Sequence, residues 1–142
     1  MILEYTDKNR GHYQYPNRAK QVVEFDGLKF GTRTPTDIDG LLEIGDNAYA
    51  LFELKLRGVA LPKGQELALK RIINALMDAG KQAALFIAVH DETDPERPIR
   101  AADAEVRQVY YGRKAYRGNG TLKGMLDRFI EYAGIHNPVV QV

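Results

Sequence analysis

The chain contains no cysteine. That absence excludes a disulfide scaffold, a thiol nucleophile, an iron–sulfur cluster and a zinc ribbon together, because each depends on sulfur. Long apolar runs are missing as well. The longest uncharged stretch in the apolar middle of the chain is Gln82 to His90, far short of the ~20 residues that cross a bilayer. The opening Met1-Ile2-Leu3-Glu4 lacks the basic and apolar regions of a secretion signal, so the expected location is the cytoplasm. Neither sign of charge is in excess: 20 Lys and Arg stand against 19 Asp and Glu, a formal net charge of +1. A bulk polycation of the histone kind is excluded, whereas a local basic patch is not. No internal repeat or low-complexity tract is present.

The balance of 44% hydrophobic and 27% charged residues over 142 positions is that of one soluble domain, spanning 1–142. Residues 1–16 are polar and aromatic without periodicity and read as a flexible arm. Asn17 can cap a helix to about Asp26, with Ala19, Val22 and Val23 on its buried face. Leu28 and Phe30 suit a short strand. Two period-two segments follow, 38–44 and 48–56, separated by Gly45-Asp46-Asn47, the pattern of a β-hairpin. Pro62 and Gly64 open a helix with Leu69, Ile72, Ile73 and Leu76 as its stripe and Gly80 at its end. Strands are expected over 83–89 and 105–111, with a polar loop over 91–104 and a basic turn over 112–120. Thr121 caps a last helix striped by Leu122, Met125, Leu126, Phe129, Ile130 and Ala133 and ended by Gly134. The expected order is α-β-β-β-α-β-β-α, an α/β fold.

The hairpin carries the chemistry. Matching apolar faces pairs even positions with even ones. The three-residue loop then puts Ile44 opposite Ala48, Asp39 opposite Glu53 and Asp37 opposite Lys55. Directly opposed carboxylates destabilise a hairpin. A divalent cation between them reverses that sign, and hard oxygen donors suit Mg²⁺. The contrary reading is a solvated cross-strand ladder of Asp37, Glu53 and Lys55. Gln65 continues the buried stripe of the following helix, where packing alone would favour an apolar residue. It is otherwise an ordinary residue of a helix start.

Pro35-Thr36-Asp37-Ile38-Asp39-Gly40 followed by Phe52-Glu53-Leu54-Lys55 resembles the PD-(D/E)XK nuclease signature. That superfamily includes restriction endonucleases, Holliday junction resolvases and RecB-type nuclease domains. The resemblance covers roughly residues 17 to 90. It implies a restriction-endonuclease-like core, α-β-β-β-α-β, with a mixed central sheet flanked by helices and a C-terminal helix. It implies a metal on Asp39, Glu53 and the Leu54 carbonyl, with Lys55 near the attacking water and Gln65 pointing at the site. Mg²⁺ is the implied cofactor, with Mn²⁺ as its substitute. The implied activity is hydrolysis of phosphodiester bonds, most naturally of DNA, in repair, recombination or mobile-element processing. A homodimer is implied only by analogy with small stand-alone relatives. The sequence departs from the motif in one respect: Pro35 does not immediately precede Asp39, and Asp37 competes for the ligand role.

Asp37, Glu43 and Glu24 are accessory candidates. Glu43 shares the face of Asp39, and Glu24 falls where some family members place an acid on the first helix; each also reads as a solvated charge. His12, His90 and His136 show no ligand spacing. The run Asp91, Glu92, Asp94, Glu96 reads as a solvated loop. Arg107, Arg113, Lys114, Arg117, Lys123 and Arg128 stand against the single acid Asp127 over 107–128, interleaved with Tyr110, Tyr111 and Tyr116. Such a segment suits phosphates and unpaired bases, or equally a solvated basic surface over core tyrosines. From it, Arg107, Arg113, Lys114, Arg117 and Lys123 are the expected nucleic-acid contacts, flanking the carboxylate site. Two functions stand against each other: a metal-dependent nuclease, and a nuclease-fold binding or assembly module without catalysis.

Overall fold

The computed structural model describes residues 5–7, 11–13 and 23–136. They fall into two compact units, 1–35 and 36–142. In the first, β1 (Tyr5–Asp7) pairs antiparallel with β2 (Gly11–Tyr13), within the stretch that the sequence reads as a flexible arm. Most of the expected helix from Asn17 lies outside the described residues. Its described end is not helical: 23–25 are irregular, a turn covers 26–27, and Val23 is exposed. The strand expected at Leu28 and Phe30 is also absent. Phe30 instead closes a local bridge with Arg33 through two backbone hydrogen bonds of 2.8 and 3.2 Å. Gly31 supplies the left-handed turn at φ +70°. These backbone groups are satisfied within four residues and have no need of a longer ladder.

The second unit is an α/β layer structure. Its mixed, open five-stranded sheet has the order β3 (Gly40–Ile44), β4 (Ala48–Leu56), β5 (Gln82–His90), β6 (Glu105–Tyr111), β7 (Lys114–Arg117). β3 and β4 form the expected hairpin, with Ile44 opposite Ala48 and Gly40 opposite Phe52. Gly45 and Asp46 both turn left-handed, at φ 54° and 56°. Helix α1 (Lys63–Asp78) links β4 to β5, which run parallel, as a crossover must. Gly80, at φ +86°, closes α1 as read from the sequence. The polar loop after β5 holds a short 3₁₀ turn, Ala101–Asp103. Beyond it, β6 and β7 continue the sheet antiparallel.

Two elements differ from expectation. The basic segment 112–120 contains strand β7, not only a turn. Gly112 and Arg113 form a tight two-residue connection, both left-handed at φ 59° and 62°. The usual signal there is Asn-Gly or Asp-Gly. Arg113 tolerates the conformation while its guanidinium grips Asp78 at 2.7 and 2.9 Å. Helix α2 (Leu122–His136) passes through Gly134 instead of ending there. Its start is as expected, with Thr121 Oγ1 accepting the Gly124 N–H at 3.1 Å.

The two helices cover opposite faces of the sheet. The even positions of β4 and β5, including Ala50, Ala84 and Phe86, pack with Leu122, Phe129 and Ala133 of α2. The odd positions Leu51, Ala83 and Leu85 pack with Leu69 and Ile73 of α1. Ile72, read as part of the α1 stripe, stays partly exposed at its edge. A bulge opposite Ile87 and Ala88 lets Val106 join the α2 side while Tyr110 joins the α1 side.

Candidate active site

Glu53 is the one buried charged residue among the described residues, with 0% of its surface exposed. Period two places it on the α1 face of β4, one step beyond Leu51. The solvated ladder is thereby excluded, because α1 covers this face. Two donors hold its carboxylate. The backbone N–H of Asp39 donates to Oε1 at 3.0 Å. Gln65 Nε2 donates to Oε2 at 3.1 Å. The same Gln65 nitrogen donates to the Asp37 carbonyl, also at 3.1 Å. A side chain in the first turn of α1 thus ties the segment before β3 to the middle of the sheet.

The register places Asp39 opposite Glu53, but the β3–β4 ladder stops one pair earlier, at Gly40 and Phe52. The Asp39 side chain completes the edge instead. Its Oδ2 accepts the Leu54 N–H at 2.7 Å, as the next carbonyl of β3 would have done. In an extended strand the N–H and C=O of one residue point to the same edge. The Leu54 carbonyl therefore points to the side where the Asp39 carboxylate sits.

Burial is the largest cause raising the Glu53 acid, to about 7; the Asp39 N–H opposes it, the Asp39 carboxylate adds to it, and Lys55 opposes it. Lys55 lies on the same strand face two residues on, half-buried, with no ion-pair partner among the described residues. The structure thus brings Asp39, Glu53, Lys55 and Gln65 together. Asp37 borders them through its carbonyl, while its side chain is exposed. Among the described residues no three His, Asp or Glu side chains cluster. The donor set here is two carboxylates and a backbone carbonyl. Hard oxygen donors of net negative charge, with a single ammonium near them, match the chemistry of a Mg²⁺-sized ion.

Of the other accessory candidates, Glu43 does not join this cluster. Glu43 turns away and accepts the Asp46 N–H at 2.6 Å. Glu24 is exposed and belongs to the first unit. His90 accepts the Glu92 N–H on Nδ1 at 3.1 Å, consistent with a residue at the core's edge. Of the acidic run, Asp91 is not merely solvated. It accepts from Arg57 at 2.7 Å, and Arg57 also reaches Glu105 at 2.9 Å. Arg57 was not singled out by the sequence, because its partners, just after β5 and at the start of β6, are 34 or more residues away in the chain.

The basic segment divides. Arg107 and Arg117 stand at the carboxylate end of the sheet, where Gln108 pairs with both Ile87 and Arg117. They are two and three strands from β4, about 10–14 Å at ordinary strand spacing. Arg113 and Lys114 stand at the opposite end. Arg113 holds Asp78 in the last turn of α1, about 20 Å from Gln65 at 1.5 Å per residue. They do not flank the carboxylates as the sequence suggested. Lys123 pairs with Asp127 at 2.6 Å. Tyr110 is a core residue that donates to Asn74 Oδ1 at 2.8 Å, whereas Tyr116 is exposed.

Comparison with family models, curated proteins and solved structures gives no match. No helix among the described residues is long and apolar enough to cross a membrane.

Proposed function

We propose that this chain is a metal-dependent nuclease of the PD-(D/E)XK kind, hydrolysing phosphodiester bonds, with DNA as the expected substrate. The observation that carries the reading is the environment of Glu53. A structural carboxylate this deeply buried is normally paired with a cation. Glu53 has an amide and a backbone N–H instead, and a second carboxylate as its neighbour. Such an arrangement costs stability and suits a site that awaits a cation. The hairpin, crossover helix and parallel strand of 40–90 follow the order of the restriction-endonuclease-like core from its second strand onward.

Asp39, Glu53 and the Leu54 carbonyl would hold Mg²⁺ or Mn²⁺. When bound, such an ion polarises a phosphate oxygen and lowers the pKa of water. Gln65 fixes the Glu53 carboxylate and, through Asp37, the approach of the chain to Asp39. Lys55 supplies positive charge on the same face, where phosphate oxygens gain negative charge.

The test is incubation with Mn²⁺ and a panel of linear, single-stranded, flapped and four-way-junction substrates. Cleavage should need the metal and fall by about a thousandfold or more in Glu53→Gln, since metal activation supplies several kcal/mol. Mn²⁺ should raise the melting temperature of the wild type and not of the variant. A protein that cleaves nothing and whose melting ignores Mn²⁺ would leave the binding-module reading in its place.

A further inference from the structure

We propose that a second site, on the α2 face of the sheet, holds an unpaired base of a single-stranded stretch of nucleic acid. Arg117 and Arg128 would engage its phosphates. The site is a pocket of about 410 Å³, within the range of small-ligand sites. Phe86 and Phe129 meet edge to face at 5.9 Å and 78°. Tyr111 and Tyr132 do the same at 5.8 Å and 87°. Tyr111 is further held by donating to Gln82 Oε1 at 2.9 Å. These aromatic walls are therefore set before any ligand arrives, which lowers the ordering cost of binding. Tyr116, on the edge strand β7 and 50% exposed, lines the pocket from the other side.

Charge selects the occupant. No acidic residue lines the pocket, and two arginines, Arg117 and Arg128, are among the residues that border it. Arg117 has no ion-pair partner among the described residues. Arg128 makes a single long bond, 3.5 Å, to the Asn119 carbonyl. Flat aromatic walls favour a planar ring, and guanidiniums without a carboxylate partner favour phosphate. A nucleotide unit joins both. In a duplex the bases are paired and stacked away, so only an unpaired one can enter. Preferring a nucleotide over other aromatic anions rests on the nuclease reading. The pocket and the carboxylates lie on opposite sheet faces, so the captured base is not the one beside the scissile bond. It anchors a single-stranded arm of the substrate.

The experiment is anisotropy of labelled probes with the full chain in EDTA, where no cleavage occurs. The probes are a short oligothymidylate, an abasic backbone of equal length, and a blunt duplex. Oligothymidylate should bind about tenfold or more tighter than the abasic chain. Tyr116→Ala should weaken it by about five- to a hundredfold, the range of one lost base–aromatic stack. Abasic binding should not change in that variant. Arg117→Ala with Arg128→Ala should weaken both single-stranded probes and flatten the salt dependence. Equal binding of base-bearing and abasic chains, or indifference to Tyr116→Ala, overturns the proposal. Base-dependent binding without any Mn²⁺ cleavage would spare this site and sink the nuclease reading. Cleavage without base-dependent binding would do the reverse.

Discussion

The two ends of helix α1 handle charge in opposite ways. At its C-terminal end each exposed acid has a cation. Asp78 takes both arms of Arg113. Asp46 takes Lys81 at 3.2 Å, with the Tyr49 hydroxyl on the same carboxylate. The Tyr49 hydroxyl first, and Lys81 after it, hold Asp46 below the ordinary carboxylate range, and Arg113 does the same for Asp78. At the N-terminal end Glu66 has Lys70 at 3.1 Å, but the fully buried Glu53 has no ion-pair partner among the described residues and is driven upward. Water would have tolerated unpaired charge at the exposed end far better than at the buried one. The inversion singles out Glu53 as a charge whose burial costs stability, and it supports the proposed site without any appeal to motif.

The sharpest way to break this comparison is through pH. Glu53 titrates near the ordinary carboxylate value when unfolded, about 4.3, and near 7 when folded. Between those values the folded chain holds a proton that the unfolded chain has released. Stability must therefore fall as pH rises through this window. Glutamine has the shape of the protonated acid, so Glu53→Gln should flatten that dependence. Urea melts at pH 5 and pH 8 check it. The variant should match the wild type at pH 5 and exceed it at pH 8. Parallel profiles would mean that Glu53 carries its charge at little cost, and the contrast between the two ends would dissolve.

A second, smaller effect is expected at Gly40. A Cβ there would lie 2.0 Å from the Phe52 ring, so the glycine lets that ring close over the end of β3. Gly40→Ala should cost about 1–3 kcal/mol, the usual penalty of overpacking. It should also lower Mn²⁺-dependent cleavage by moving the adjacent Asp39. Gly45→Ala, with no side chain in its way but a left-handed φ of 54°, should cost stability without touching cleavage. Equal cleavage in the two variants would separate Asp39 from the position of Gly40.

Parity made the hairpin register legible from Ile44 and Ala48 outward, and with it the meeting of Asp39 and Glu53. Helical phase placed Gln65 correctly. The sequence did not show that the odd face of β4 is covered. A strand with Glu53, Lys55 and Arg57 at alternate positions looks solvated until α1 is seen to lie over its first half. Nor did it show that Asp39 completes the ladder with a side chain, because that depends on β3 ending one residue early. The basic segment misled for a related reason. Charge counting groups Arg107 to Arg128 together, while the turn at Gly112 folds β7 back and sends Arg113 and Arg117 to opposite ends of the sheet. The pocket brings Phe86, Tyr116 and Tyr132 together from three elements, and no local pattern records that.

The smallest expected effect sharpens the comparison from the paired end. Arg113 and Asp78 are both well exposed, and exposed ion pairs contribute little because water screens them. Arg113 also sits at φ 62°, where a non-glycine residue is strained. Arg113→Gly removes the pair and relieves that strain, so the two changes oppose each other. The melting temperature of Arg113→Gly should stay near that of the wild type, and Arg113→Ala should melt lower, since alanine keeps the strain and loses the grip on Asp78. Raising the salt should narrow the gap between wild type and Arg113→Ala, because screening removes what the pair contributes. Neither variant should alter Mn²⁺-dependent cleavage, being a helix length away from Gln65. If cleavage fell with either substitution while stability held, the two ends of α1 would be one coupled unit, and their contrast in charge would need a different explanation.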